Sequence, residues 1–231
     1  MSSDTDMRAL MHMTRDQLHA SATRYYKTRG PTEPDVALVE HGAARAVFKD
    51  YGRAPGWFNR FIAPVLLWRE ATALAALADL AGVPQLYRRV DRRGLLIEHC
   101  PAMPWPHAHP GDVAYERLDT LVTAMHERGV AHGDLRGGGN ILVDDQDRPY
   151  LVDFVSRVRR GRPWNLPWNW IFGQLEAADR SALAKLRVRY ARHLATAVDY
   201  ELRHPNTGFA RFARRLGQRI RRGVRFFGAH S

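Results

Sequence analysis

The segment His132-Gly-Asp-Leu-Arg-Gly-Gly-Gly-Asn-Ile-Leu-Val143, followed by Leu151-Val-Asp-Phe154, gathers the residue types that phosphoryl transfer requires. Moving a phosphoryl group from ATP needs few protein parts: a carboxylate to orient the acceptor hydroxyl, oxygen ligands for Mg²⁺, and a cation on the phosphates. Asp134, on a loop after a helical pattern, supplies the first. Asn140 and Asp153, at the two ends of a predicted small hairpin, supply hard oxygen ligands of the kind Mg²⁺ takes.

The elements that must position these residues follow from periodicity. A polar N-terminal stretch with a short helix near Arg15–Ala22 gives way to β-type runs at Val36–Glu40 and Arg45–Tyr51, separated by a turn at 41–44. Leu66–Ala81 has the spacing of a helix and stops at Gly82-Val83-Pro84. Leu86–Arg89 and Leu95–Glu98 read as two further strands. Cys100-Pro-Ala-Met-Pro-Trp-Pro106 is a Pro-rich connector, the predicted boundary between two lobes. Beyond it, Asp112–Arg128 carries Leu118, Leu121, Val122 and Met125 at helical spacing and ends at Gly129. Asn140–Val143 and Tyr150–Val152 flank the turn at 144–149, and from Ala177 the pattern is helical.

On the 132–154 segment the sequence resembles the protein kinase-like superfamily, and within it the small atypical bacterial kinases: the lipopolysaccharide (Kdo and heptose) kinases and the RIO-like kinases. The resemblance covers about residues 35 to 155. It implies an α+β, protein kinase-like bilobal fold, with a small antiparallel-sheet N-lobe carrying one helix and a mostly helical C-lobe. The expected division is an N-lobe over 1–99, a hinge at 100–106 and a C-lobe over 107–231.

By the same resemblance, Asp134 matches the catalytic-loop aspartate, Asn140 the metal-binding asparagine, and Asp153 the metal-binding aspartate of the Asp-Phe-Gly motif. Ala46-Val-Phe-Lys49 looks like the strand motif whose lysine meets the α- and β-phosphates, and Glu70 is the matching helix acid that pairs with it. Leu96-Ile-Glu98-His99-Cys100 looks like the hinge, with Glu98 and Cys100 meeting the adenine edge through their backbone. Arg136 lies two residues past Asp134, placed to offset transition-state charge. The cofactors implied are ATP and Mg²⁺. His132 reads as a structural brace of the loop rather than a base.

Three departures stand out. Asp134 to Asn140 is six positions where the family pattern has five, the extra residue falling among Gly137–Gly139, whose backbone can bulge. Val155 replaces the final Gly of Asp-Phe-Gly. No Gly-x-Gly-x-x-Gly precedes Lys49; Thr28-Arg-Gly30-Pro31 stands in its place. Gly133, where regulated kinases carry Arg, and the lack of an Ala-Pro-Glu motif imply a kinase not switched by activation-loop phosphorylation.

Composition sets the setting. The 231 residues are 45% hydrophobic and 26% charged, and the longest apolar run, Phe61–Trp68, is eight residues and contains Pro64. A membrane span needs roughly 20, and the N-terminus lacks a signal-peptide pattern, so the expectation is a cytoplasmic protein, peripheral on the inner face of the cytoplasmic membrane if it meets one. Cys100 is the single cysteine, which excludes an internal disulfide and a cysteine-based metal cluster.

The net charge of +11 is uneven: residues 1–154 hold 18 Lys and Arg against 20 Asp and Glu, whereas residues 155–231 hold 17 against 4. Such a block points to an anionic partner. Phe209, Phe212, Leu216, Ile220, Val224 and Phe227 fall on one face of a predicted helix over 209–228, with Arg around the rest, which suits an anionic membrane surface. Packing of that stripe on the C-lobe is the alternative, and nucleic acid ranks last. Arg162-Pro-Trp164-Asn-Leu-Pro-Trp168-Asn-Trp170 adds an interfacial composition. The acceptor expected on these grounds is a hydroxyl of a lipopolysaccharide-core or lipid-linked sugar. A RIO-like serine/threonine protein kinase and a non-catalytic pseudokinase membrane adaptor are the alternatives.

Overall fold

The computed structural model describes residues 2–27 and 32–202; Thr28–Pro31 and the basic segment 209–228 lie outside the described residues. The chain divides into two compact units, Met1–Ala102 with Tyr150–Val155, and Met103–Pro149 with Ser156–Ser231.

The first unit is built on a five-stranded antiparallel sheet of order β1-β2-β3-β5-β4. Its strands are β1 (Ala22–Lys27), β2 (Asp35–His41), β3 (Ala44–Asp50), β4 (Leu86–Arg89) and β5 (Gly94–Glu98). Alternation along β3 decides the two faces. Ala46 and Phe48 join Leu10, Leu18, Val39 and Leu96 in a buried cluster, covered by α1 (Ser2–His12) and α2 (Arg15–Ala20). Lys49, one residue on, therefore points to the opposite face. Thr14 starts α2 with a capping box: its Oγ1 accepts from Gln17 N–H at 3.3 Å, and Gln17 Oε1 accepts from Thr14 N–H at 2.8 Å.

The helix that serves Lys49 is α4 (Ala63–Ala76), preceded by α3 (Gly56–Phe61). Sequence periodicity placed it over Leu66–Ala81. It begins earlier because Pro64 sits in the first turn, where a missing N–H is harmless. It ends earlier because Leu77 leaves helical geometry (φ −114°, ψ 14°) and the chain turns before Gly82 at φ +92°. The buried face of α4 is Ala63, Leu67, Glu70, Ala71 and Leu74, a stripe at steps of three and four. Besides this helix and α2, which matches the short helix expected near Arg15–Ala22, the unit carries α1 and α3.

The second unit opens with β6 (Met103–Pro104) and α5 (Trp105–Ala108), so the connector read as irregular contains short regular pieces, with Pro106 tolerated in the first turn of α5. α6 (Asp112–Glu127) buries Leu118, Leu121, Val122 and Met125, the residues picked out by spacing, and is followed by Gly129 at φ +71°, a left-handed helix stop. β7 (Val130–Ala131), β8 (Ile141–Val143) and β9 (Pro149–Leu151) follow, the last passing into the first unit. After a 3₁₀ turn at Phe154–Ser156, β10 (Val158–Arg159) pairs antiparallel with β7, Val158 opposite Ala131. Then come α7 (Leu166–Tyr190) and α8 (Ala197–Leu202).

α7 corrects the expectation that helix begins at Ala177. Pro163 and Pro167 make the segment look irregular in sequence, yet Asn165 caps the helix by accepting from Trp168 N–H at 3.3 Å, and Pro167 occupies an N-terminal position that needs no donor.

Candidate active site

In the first unit, β3 and α4 bring Lys49 and Glu70 together inside the protein. Lys49 Nζ donates to both carboxylate oxygens of Glu70, at 2.7 and 2.8 Å, and to Asp153 Oδ1 at 3.0 Å. Lys49 is 5% exposed and Glu70 1%, whereas the Asp153 side chain is 42% exposed. The lysine thus bridges a buried carboxylate and an accessible one.

Burial alone would draw the Lys49 ammonium down; the carboxylates of Glu70 and Asp153 outweigh it and hold the lysine above its usual range, so it is a fixed cation. Desolvation pushes Tyr51, next on the chain but one, above the ordinary tyrosine range as well.

Asp153 reaches Lys49 from a left-handed backbone, φ +66°, a conformation uncommon for a residue with a Cβ. Its neighbours hold it there: Phe154 is fully buried, and Arg69 Nε donates to the carbonyl of Val155 at 2.9 Å. Val155, which stands where the family motif has Gly, is accommodated in the 3₁₀ turn.

The residues expected to form the hinge lie at the end of β5. Glu98 N–H donates to the Gln85 carbonyl at 2.8 Å and its carboxylate accepts from Gln85 N–H at 2.9 Å, so this side chain is committed to the sheet edge. The Cys100 carbonyl accepts from Ala102 N–H at 2.8 Å, and burial pushes its thiol up to about 12, which leaves the sulfur protonated and unreactive at neutral pH. From β1, Tyr26 Oη reaches to 3.1 Å from His99 Nε2.

In the second unit, Asp134 and Asn140 sit on the loop between β7 and β8. Its first turn is anchored by a residue that sequence reasoning missed. Asp179, on α7 and 1% exposed, accepts from the backbone N–H of His132 (2.8 Å, Oδ2) and of Gly133 (2.8 Å, Oδ1), and its Oδ2 is 3.0 Å from His126 Nε2. A buried carboxylate requires such partners. Nothing in the sequence singles it out, since the same helix also carries Glu176, Arg180 and Lys185. His132 is wholly buried and its Nδ1 accepts from Asp134 N–H at 3.3 Å, which fits the bracing role read for it. Asp134 itself is exposed, as is Arg136.

The extra residue of the loop is absorbed by glycine. Gly137 and Gly138 have φ of +88° and +74°. At Gly138 a Cβ would lie 3.3 Å from Leu186, Pro106 and Trp105, so that position is closed to other residues on space as well as on backbone. Asn140 ends the bulge with its Nδ2 donating to the Asp134 carbonyl at 2.9 Å, which ties the two ends of the loop and turns the amide oxygen, an acceptor, away from that bond.

Among the described residues, no three His, Cys, Asp or Glu side chains are grouped as a metal site.

No protein-family model and no curated protein matches the chain. Solved structures do. The Rio2 kinase from Chaetomium thermophilum superposes with a TM-score of 0.59 at 16% identity, over 82% of this chain and 64% of that one. The Rio2 kinase–ADP/Mg²⁺–phosphoaspartate complex from the same organism superposes with a TM-score of 0.58 at 18% identity, over 80% and 64%. This chain therefore spans just under two thirds of the length of those structures. The likeness establishes a protein kinase-like α+β fold, the one the 132–154 segment implied.

Proposed function

We propose that this protein is an ATP- and Mg²⁺-dependent phosphotransferase that moves the γ-phosphate to a hydroxyl group. The observation that carries the reading is the buried Lys49–Glu70 pair with Asp153 on its accessible side. A buried ion pair is seldom retained for stability alone, because desolvation offsets most of its attraction. Here it fixes a cation beside an exposed carboxylate, the arrangement that binding of a metal–triphosphate requires.

Each residue then has a task. Glu70 holds the Lys49 ammonium, which binds the α- and β-phosphates. Asp153 and Asn140 are the oxygen ligands for Mg²⁺, which when bound neutralises charge building on the phosphate oxygens. Asp134 accepts the hydrogen bond of the acceptor hydroxyl and takes its proton as the new O–P bond forms and ADP departs. Asp179 acts through His132 and Gly133, holding the loop so that Asp134 is presented to solvent. Arg136 offsets charge on the transferring group. The adenine edge is met by the backbone at Glu98–Cys100. One of the structural neighbours is a complex with ADP and Mg²⁺, which agrees with this cofactor set.

The acceptor we favour is a sugar hydroxyl on a lipid-linked or lipopolysaccharide-core glycan, supported by the cationic, Trp-bearing composition after residue 155. A RIO-like serine/threonine kinase is the second reading, favoured by the Rio2 neighbours. Incubation with γ-labelled ATP and cell-envelope extract separates them. Label extracted into organic solvent with glycolipid supports the first, and label confined to Ser or Thr of protein supports the second. Nucleotide binding with no transfer to either would leave a pseudokinase adaptor.

A further inference from the structure

Between Asp153 and Glu176 the chain carries no acidic residue, while Arg157, Arg159, Arg160 and Arg162 fall in its first half. Four large apolar side chains follow, each part-exposed: Trp164 is 73% exposed, Leu166 71%, Trp168 40% and Trp170 57%, with Leu166 and Trp170, four apart in α7, on one face of the helix. Single exposed apolar residues are ordinary on a protein surface, but four within seven positions are not.

The segment is also rigidly built. Trp168 Nε1 donates to the Arg159 carbonyl at 2.8 Å. Asn169 accepts from Gly161 N–H at 2.9 Å and donates to the Arg162 carbonyl at 3.0 Å. Asn165 Oδ1 caps the helix. The guanidinium of Arg162 lies 5.4 Å from the Trp164 ring centre. Five polar contacts fix a turn whose projecting parts are apolar, which lowers the ordering cost of inserting them into another phase.

We propose that this Arg/Trp platform, residues 159–170, is a docking site for an anionic lipid bilayer, with Trp164, Leu166 and Trp170 entering the headgroup–acyl boundary and Arg159 and Arg162 meeting lipid phosphates. Indole rings favour that boundary because an apolar body and a polar N–H are both served there. Anionic lipid complements a stretch with cations and no acids. Leu166 decides against a nucleic acid: it has no face to stack on a base and gains only from hydrocarbon. The inference rests on the membrane-proximal acceptor proposed above and assigns the contact to the described platform, separately from the 209–228 segment.

The test uses the full chain and vesicles of phosphatidylethanolamine with phosphatidylglycerol, without nucleotide or acceptor, so that failure here is read apart from failure of the phosphotransfer reading. Trp164→Ser with Trp170→Ser, both at exposed positions, should weaken vesicle co-sedimentation by about tenfold or more. Brominated acyl chains should quench tryptophan emission in the wild type and much less in this variant. Arg162→Gln should weaken binding at low salt only. A matched control, Phe61→Ser with Trp68→Ser on the exposed side of α3 and α4, should bind like wild type. Unchanged partition of the Trp164/Trp170 variant, or equal loss in the control, overturns the assignment. Loss of single-stranded RNA binding with vesicle binding intact would overturn it in favour of a nucleic-acid partner.

Discussion

Asp179 holds the backbone N–H of His132 at 2.8 Å from 47 residues away in sequence, so the turn that carries Asp134 is fastened to the middle of α7. The same carboxylate takes Gly133 N–H at 2.8 Å. Replacing it with Ala would strand two buried donors, each worth about 1–3 kcal/mol. We expect Asp179→Ala to lower unfolding free energy by about 3 kcal/mol and to depress kcat. Asp179→Asn, which keeps one acceptor oxygen, should recover part of both. Denaturant melts beside steady-state kinetics check this; a variant with lowered stability but wild-type kcat would show that the anchor is only structural.

The Lys49–Glu70 pair makes a prediction about pH. Burial, first, and the nearby Asp153 charge push the Glu70 carboxyl up, and Lys49 pulls it back. In Lys49→Met only the upward influences remain. A carboxyl raised in the folded state stabilises the protein below its unfolded pKa of about 4.3 and loses that contribution as pH rises through the folded value. The melting temperature of Lys49→Met should therefore fall between mildly acidic and neutral pH, relative to wild type at each pH. A constant difference across that range would mean that Glu70 stays ionised without its partner. Phosphotransfer by this variant should drop by at least about a hundredfold.

Glycine in the 133–139 turn has unequal roles that substitution can separate. Gly133 and Gly138 combine positive φ with close neighbours, the Ser156 carbonyl at 3.3 Å in one case and Leu186, Pro106 and Trp105 at 3.3 Å in the other. Gly137 has φ +88° with nothing within 4 Å of a Cβ. Gly137→Ala should cost only the left-handed backbone, about 1–2 kcal/mol. Gly133→Ala and Gly138→Ala should cost more, and Gly138→Ala should also move Asn140 and so raise KM for MgATP. Equal effects at all three positions would contradict this account.

What the sequence disclosed and what it concealed divide along physical lines. The meeting of Asp153 with Lys49 and Glu70 is legible because phosphate chemistry couples residue type to spacing. Lys49 was legible as a cation inside a β-type run, Glu70 as the acid of the helix that follows, and the interior of α6 from Leu118, Leu121, Val122 and Met125. β1 escaped notice because Arg24-Tyr-Tyr-Lys27 at a sheet edge has no apolar alternation. The start of α7 was hidden by Pro163 and Pro167, which read as breakers until the Asn165 cap shows why they are harmless. Asp179 could not be found at all, since its role depends on a contact 46 and 47 residues distant.

The phosphotransferase reading is tested most directly by Mg²⁺-dependent ATP consumption in the full chain, wild type beside Asp134→Asn and Asp153→Ala, with nucleotide binding followed by calorimetry. We predict turnover by the wild type that falls at least about a hundredfold in both variants, with Asp134→Asn still binding MgATP and Asp153→Ala binding it more weakly. Turnover unchanged by either substitution, or a wild type that binds MgATP without consuming it, would contradict the account.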